Sequence, residues 1–215
     1  AAALLCLAIA SAANSAAFSV VNALLLRPLP FHDPQQLVMV ALRNVESTEI
    51  RPFSRDEFQQ VSERVGPVVG LLAQTFLPMS LVADDGANVV EAQFVSENYF
   101  DILGVKPQIG SMPSAIGGDS AQCTLIIGHR LWQRRFQSRP DVVGRDVPLN
   151  GERCTIAGVA PAGFVGATSL IVTDVLVPSA LYSAFMHSDA DRVPIFGVMG
   201  RMAPGVSRQE VSARL

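Results

Sequence analysis

The chain has 215 residues, of which 49% are hydrophobic and 16% are charged, and its formal net charge is −3. This balance excludes a general electrostatic attraction to nucleic acid or to anionic lipid surfaces. Three cysteines are too few for a disulfide framework, and the length allows one domain with a sizeable core or two small lobes.

The first 26 residues, AAALLCLAIASAANSAAFSVVNALLL, contain no charged side chain, and the first charge is Arg27. As an α-helix this stretch would be about 39 Å long, against roughly 30 Å for the hydrocarbon core of a bilayer. We therefore predict a transmembrane helix. A secretory signal peptide, cleaved near Ala10 or Ala12, and a buried soluble helix are the alternatives.

The polar residues of this stretch follow a three-four spacing, which places them on one face of a helix. Ser11, Ser15 and Ser19 repeat every four residues, as small residues do where transmembrane helices approach closely. We predict a helix-packing face made of Ser11, Ser15, Ser19 and Asn22. Asn14 lies on the same face.

The segment after the helix is predicted to be a rigid connection out of the membrane, because the prolines of Arg27-Pro28-Leu29-Pro30 restrict the backbone. Residues 37–44 (LVMVALRN) are predicted to form a strand that is mostly buried on both faces. Ser54-Arg55-Asp56-Glu57 is a capping box that predicts a helix to about Val65.

Three strands are predicted next, over 68–76, 79–83 and 88–95, with a turn at Asp84-Asp85-Gly86. Ser96 is predicted to cap a short helix that ends at Gly104. Residues 106–122 have no apolar period and are predicted to form a loop.

Cys123 begins a predicted strand, 123–127, which leads into a helix over 130–137. Cys154 also lies at a strand-like position. The two cysteines can be buried free thiols or, outside the cytoplasm, a disulfide, and the sequence leaves both alternatives open.

Asn150-Gly151 between alternating apolar residues predicts a two-residue type I′ hairpin. Val147 should then lie opposite Cys154, with Leu149 and Ile156 on the same inward side. Pro148 has no amide donor, so its strand is predicted to be an edge strand.

The remaining elements are a short strand over 175–177, a helix over 178–185, a strand over 195–202 and a second capping box at Ser207-Arg208-Gln209-Glu210. Strands and helices alternate without a regular βαβ repeat. The predicted fold class is α/β, with two small lobes after the transmembrane helix.

No motif for catalysis, nucleotide binding or metal binding is found, since Walker, HExxH, GxSxG and CxxC patterns are all absent. His32, His129 and His187 stand far apart in sequence, and Asp84 and Asp85 suit a turn better than a calcium site. The arginines at 130, 134, 135 and 139 are interpreted as a solvated helix face. The chain is therefore predicted to be neither an enzyme nor a nucleic-acid binder, without cofactor.

Six stretches occur in the order found in one known family: FSVVNALLLRPLPF (18–31), VSENYFDILGVKPQIG (95–110), GHRLWQRRF (128–136), VVGRDVPLNGERCTIAGVAPAGF (142–164), DVLVP (174–178) and GRMAPGVSRQEVSARL (200–215). Together they resemble the MacB-like periplasmic core domain of FtsX/MacB-type permeases of ABC systems, including orphan permeases of acidobacteria. One departure is Gly110-Ser111, where the family usually has Gly-Arg.

The resemblance implies that residues 1–26 are the first of four transmembrane helices of a cell inner membrane protein, and that residues 27–215 are periplasmic or extracytoplasmic. It also implies a porter lobe over 27–95 and 190–215 and a Sabre-like lobe over 96–189. Such permeases form a homodimer or a permease pair and work with a cytoplasmic ABC ATPase on a separate chain. They relay ATP-driven motion to expel or extract substrates at the outer side of the membrane.

Two other functions stay open at this point. The chain can be a membrane-anchored binding module for a lipid, lipoprotein or peptide, without ATP coupling. It can also be a secreted hydrolase behind a signal peptide, although no nucleophile and base pair is evident in the sequence.

Overall fold

The computed structural model describes residues 31–43, 49–112, 123–168, 171–187, 194–195 and 197–215, together with the single positions 11, 14, 15 and 18. It has a mixed α/β fold. The strands are β1 (Leu37–Val40), β2 (Leu42–Arg43), β3 (Ile50–Arg51), β4 (Val69–Ala83), β5 (Gly86–Val95), β6 (Ile109–Gly110), β7 (Cys123–Ile127), β8 (Asp146–Leu149), β9 (Glu152–Val159), β10 (Val175–Pro178) and β11 (Gly197–Met202). The helices are α1 (Arg55–Val65), α2 (Tyr99–Leu103), α3 (His129–Phe136), α4 (Tyr182–Met186) and α5 (Arg208–Arg214).

Strand β4 connects the two parts of the fold, because it pairs with strands of both. It pairs with β5 from Gln74 to Ala83, and its first half, Val69–Gln74, pairs on the other side with β11. Its far end meets β8 at Leu81. A single 15-residue strand thus replaces the two strands that the sequence predicts here.

Pro78 explains that error, since a proline normally argues against the middle of a strand. Among the described residues, the stretch 75–80 of β4 has no strand partner on the side away from β5. The missing amide donor of Pro78 therefore interrupts no ladder on that side, and the strand continues through it.

Six strands close into a ring, in the order β4, β5, β10, β7, β9, β8 and back to β4. We call this ring the barrel. Closure at the β4–β8 contact consists of the Leu81–Leu149 pair and two hydrogen bonds between Ser80 and Asn150: the Asn150 amide donates to the Ser80 carbonyl (2.8 Å), and the Ser80 amide donates to Asn150 Oδ1 (2.7 Å). Strand β8 is therefore not the free edge that Pro148 predicts.

The inside of the barrel is filled by one side chain in two from each strand, as the strand period requires. Helix α3 and the segment around α4 contribute larger side chains to this interior. The Phe94 ring lies edge-on to Tyr182, with 5.1 Å between ring centroids, and edge-on to Phe185, with 5.8 Å. The fully buried interior residues include Leu81, Leu125, Leu149 and Ile156.

The β8–β9 hairpin has the predicted register, with Val147 opposite Cys154 and Leu149 and Ile156 buried on the same side. Asn150 and Gly151 both have positive φ, 48° and 86°, as a type I′ turn requires. Cys154 also lies beside Cys123 of the parallel strand β7, and the two form a disulfide with 4.4 Å between their Cα atoms. The structure thus decides the question that the sequence left open.

Beside the barrel lies a helix-covered sheet, made of β1, β11 and the first half of β4. Helices α1 and α5 contribute Val65 and Val211 to a cluster on one face, and α2 covers the other face. The capping box at Ser54 and Glu57 is present as predicted. At Ser207 the hydroxyl accepts the Glu210 amide, so a cap also opens α5.

Other local predictions are wrong as well. The strand predicted over 37–44 is split into β1 and β2, and it is not buried on both faces, since Met39 is 72% exposed at the edge of the sheet. Ser96 does not cap α2, because its hydroxyl accepts from the Ala73 amide of β4 and donates to Asn98 instead. Gly104 ends α2 in the left-handed conformation, as predicted.

Candidate functional site

The predicted helix-packing face is described only in part. Ser11, Asn14 and Ser15 are helical and exposed, and Ser19 and Asn22 lie outside the described residues. Among the described positions, no helix combines the length and apolar character needed to cross a bilayer. The transmembrane helix over residues 1–26 therefore stays a prediction.

The described chain resumes at Phe31, directly after the proline-rich stretch that the sequence predicts to leave the membrane. We call Phe31–Gln36 the exit segment. Phe31 is buried in the cluster beneath α2, and its ring lies edge-on to Phe164 with 6.2 Å between centroids. Phe100 of α2 packs against the same Phe164 ring at 6.2 Å. The exit segment is therefore fixed by an aromatic side chain in the core.

The exit segment also lies against the end of α2. A Cβ atom on Gly104 would approach His32 Cβ to 2.8 Å, so only glycine fits this contact without displacement of the segment. Gly104 has φ 66°, which independently favours glycine. Asp33 is left-handed as well, with φ 43°, and it opens the short 3₁₀ turn over 34–36.

Arg201 of β11 joins these pieces with its guanidinium group. Its Nε donates to the carbonyl of Ile102 in α2 at 2.5 Å, and its Nη1 donates to the carbonyl of Asp33 at 3.2 Å. Its Nη2 is buried and has no hydrogen-bond partner. Desolvation by burial lowers the pKa of Arg201, and the nearby Asp33 charge opposes that effect. Arginine nevertheless stays protonated in proteins, because its ordinary pKa lies far above neutral pH.

Sequence reasoning missed Arg201 and the contacts of His32 and Gly104. A lone arginine in a strand carries no signal for two partners 99 and 168 positions away. The positive φ of Gly104 was predictable from its place at the helix end, but its contact with the exit segment was not.

A second feature is a cleft of about 530 Å³ between α1 and the point where β4 and β5 enter the barrel. Phe58, Phe94 and Ile195 supply apolar walls, and Arg55 and Glu97 are exposed charges at its margin. Ser62 lines the cleft with a buried hydroxyl that has no partner. This volume lies in the range of small-molecule sites.

Below the cleft lies a buried polar network centred on Gln93. The Gln93 amide donates to Gln74 Oε1 at 2.5 Å, and its own oxygen accepts from Tyr99 (3.2 Å) and Thr173 (2.8 Å). The Tyr99 hydroxyl in turn accepts the Ala167 amide at 2.7 Å. Burial raises the pKa of Tyr99, so the hydroxyl stays protonated and holds the network in one arrangement.

The arginines that the sequence places on a solvated helix face are largely paired with acids. Arg135 pairs with Asp85, Arg134 with Asp174 at 3.0 Å and Arg139 with Asp141 at 2.5 Å. Arg145 binds Asp84 and lowers the pKa of that carboxyl. The turn at Asp84-Asp85 is thus tied to α3 through Arg135 and to the start of β8 through Arg145. Within the described residues no three potential metal ligands come together.

Comparison with solved structures shows the fold. The extracellular domain of the noncanonic ABC-type transporter YknZ from Gram-positive bacteria superposes with a TM-score of 0.63 at 13% identity, covering 83% of this chain and 88% of that one. The periplasmic region of MacB from Actinobacillus actinomycetemcomitans gives 0.63 at 13% identity, with 85% and 83% covered. A domain of a putative permease from Porphyromonas gingivalis gives 0.59 at 20% identity, with 88% and 81% covered.

No curated protein sequence matches this chain. The model of the MacB-like periplasmic core domain, in contrast, matches residues 1–215, which is the whole sequence. That match agrees with the six motifs and with the fold of the solved domains. The chain therefore belongs to the MacB-like periplasmic core domain family, the extracytoplasmic part of ABC-type transporter permeases.

Proposed function

We propose that this chain is the first transmembrane helix and the extracytoplasmic domain of an FtsX/MacB-like permease subunit, which relays ATPase-driven motion to expel or extract substrates at the outer side of the membrane. The observation that carries the proposal is the family match over the whole chain, including the apolar stretch 1–26. The embedding of Phe31 in the core supports it, because a relay needs a firm joint between membrane helix and domain.

The proposed location is the cell inner membrane, with residues 27–215 outside the cytoplasm. The disulfide between Cys123 and Cys154 supports this side, since such bonds persist mainly in oxidising compartments. The proposed lobes are a porter lobe over 27–95 and 190–215 and a Sabre-like lobe over 96–189.

The proposed partners are a second permease copy or a paired permease, and a cytoplasmic ABC ATPase on a separate chain. Ser11, Ser15, Ser19 and Asn22 are the proposed face for helix packing within the membrane. The subunit itself is proposed to be non-catalytic and to need no cofactor of its own.

The test uses the complete permease expressed with its ATPase. Extraction at alkaline pH should leave the protein in the membrane fraction, and a cysteine introduced at the exposed Asn88 should react with an impermeant maleimide added from outside. Distances between labels on Gln133→Cys in the two copies should change on ATP addition, and not with a hydrolysis-deficient ATPase. Recovery in the soluble fraction, labelling only after lysis, or ATP-independent distances would each contradict the proposal.

A second function, a binding module without ATP coupling, is favoured by one observation, the mostly apolar cleft beside α1. Its probes are palmitic acid and a diacylated tripeptide, added to the chain in nanodiscs. A ligand that binds only the folded state raises the melting temperature. Ala180→Trp, which fills the exposed margin of the cleft, should abolish that rise, whereas Val89→Trp on the outer barrel face should not.

A further inference from the structure

We infer that Arg201 is a positioning residue that clamps the exit segment to the end of α2, so that motion of the preceding membrane helix moves the domain as one body. This inference rests on the proposed function for its biological meaning. The structural part of the inference, that Arg201 determines the stiffness of the joint, rests on the geometry alone.

The clamp is suited to arginine in particular. The two carbonyls that it binds belong to segments far apart in sequence, at Asp33 and Ile102, and they meet only in the fold. The Ile102 carbonyl lies in the last turn of α2, where carbonyls lack helical partners. A planar guanidinium can bridge two such acceptors at once, whereas a lysine ammonium is a single point on a flexible stem.

The position of Arg201 in the sheet adds a second link to the same segment. Its backbone is opposite Leu37, the first residue of β1, and β1 directly follows the exit segment. The side chain thus binds the middle of the segment at Asp33, and the strand pairing fixes the residue that follows the segment.

The other contacts of the joint restrain the position of the exit segment more than its direction. Phe31 is held by apolar packing, and Gly104 and His32 are in van der Waals contact. Packing of this kind fixes position but tolerates small sliding. The two hydrogen bonds of Arg201 define the direction of the exit segment, so their loss should loosen the joint without unfolding the domain.

The structural test compares Arg201→Met, which keeps much of the length without the donors, with Arg201→Lys and with Arg208→Met as control. Arg208 is exposed at the start of α5, and no partner of its side chain is found among the described contacts. The probe is hydrogen exchange at the Gln36 amide, which donates to the same Asp33 carbonyl at 3.0 Å.

Exchange at Gln36 should rise on the order of tenfold in Arg201→Met, since hydrogen bonds to a charged group are lost, and less in Arg201→Lys. The barrel amides of β5 and β9 should keep wild-type protection, and Arg208→Met should match the wild type everywhere. Unchanged exchange at Gln36 in Arg201→Met, or an equal loss of protection throughout the barrel, would overturn the clamp.

The functional test repeats the ATP-dependent distance measurement at Gln133→Cys in the complete permease. Arg201→Met should keep ATP hydrolysis but lose most of the distance change, Arg201→Lys should recover part of it, and Arg208→Met should behave as wild type. A full distance change in Arg201→Met overturns the relay through this residue alone. No distance change in the wild type overturns the proposed function, and with it the relay, while the exchange result still decides the clamp.

Discussion

The barrel and the helix-covered sheet share strand β4 but are held together by different means. In the barrel, every strand of the ring has a strand neighbour on each side, and a disulfide joins β7 to β9. The helix-covered sheet has an exposed edge at β1. It is stabilised by helices packed on its faces and by single side chains such as Arg201.

The contrast indicates which part of the domain is expected to move internally. The ring closes at the Leu81–Leu149 pair and its interior is filled with buried side chains, so the barrel should move as a rigid body. The sheet beside the exit segment relies on local contacts that open more readily. Substitutions in each of the two parts test that contrast.

Removal of the disulfide should have the largest effect. Cys123→Ala/Cys154→Ala should lower the free energy of unfolding by about 4 kcal/mol, because the bond no longer restricts the unfolded chain. Urea unfolding measures it, with Cys6→Ala as the control. Intact mass should increase by the mass of two hydrogen atoms on reduction of the wild type. No such increase would show that the bond is absent in solution.

Opening the contact that closes the barrel should come next. Leu149→Ala removes a fully buried side chain opposite Leu81 and should cost about 3 kcal/mol, through lost burial and the cavity that remains. Val89→Ala, at a position on β5 that is 77% exposed, should change stability by less than about 0.5 kcal/mol. Equal effects of the two substitutions would contradict the closed ring.

In the helix-covered sheet, loss of a helix cap should have a smaller and more local effect. Ser54→Ala removes the acceptor of the Glu57 amide and should lower stability by about 1 kcal/mol. Hydrogen exchange should increase in the first turn of α1 and not in the barrel strands. Ser54→Asp, which can also cap, should restore most of the protection.

The smallest effect should depend on pH. The hydrogen bond from Arg51, with others from Ser54, lowers the pKa of Glu57 to about 2 from its ordinary 4.5. A carboxyl with a depressed folded pKa stabilises the fold above its unfolded pKa, and that contribution is lost as the pH falls from 4.5 towards 2. Glu57→Gln should therefore be less stable by about 0.5 kcal/mol at pH 7, with a smaller difference at pH 3, and it should approach the wild type only near pH 2.

Urea unfolding across this pH range measures the difference between Glu57→Gln and the wild type. Glu97→Gln, an exposed substitution that changes the net charge equally, is the control. A difference that persists unchanged at pH 3 would show that Glu57 acts through packing and not through its charge.

Sequence patterns predicted those features whose causes are local. The Asn150-Gly151 hairpin and the capping box at Ser54 depend on residues within a few positions of each other, and both are confirmed. Ring closure depends on pairing between segments far apart, such as β10 with β5, and no local pattern encodes it. Arg201 was missed for the same reason, because its carbonyl partners are defined only by the completed fold.

Pro78 has a consequence for how the protein behaves in a crowded membrane. Within the part of the chain that the structure describes, no strand pairs with β4 between its contacts with β11 and β8, and a strand from another molecule can add at such an edge. A proline there offers no amide for such a strand to bind, and it lies exposed where a foreign strand would arrive. The residue that misleads a strand prediction is therefore expected to hinder edge-to-edge pairing between copies of the domain.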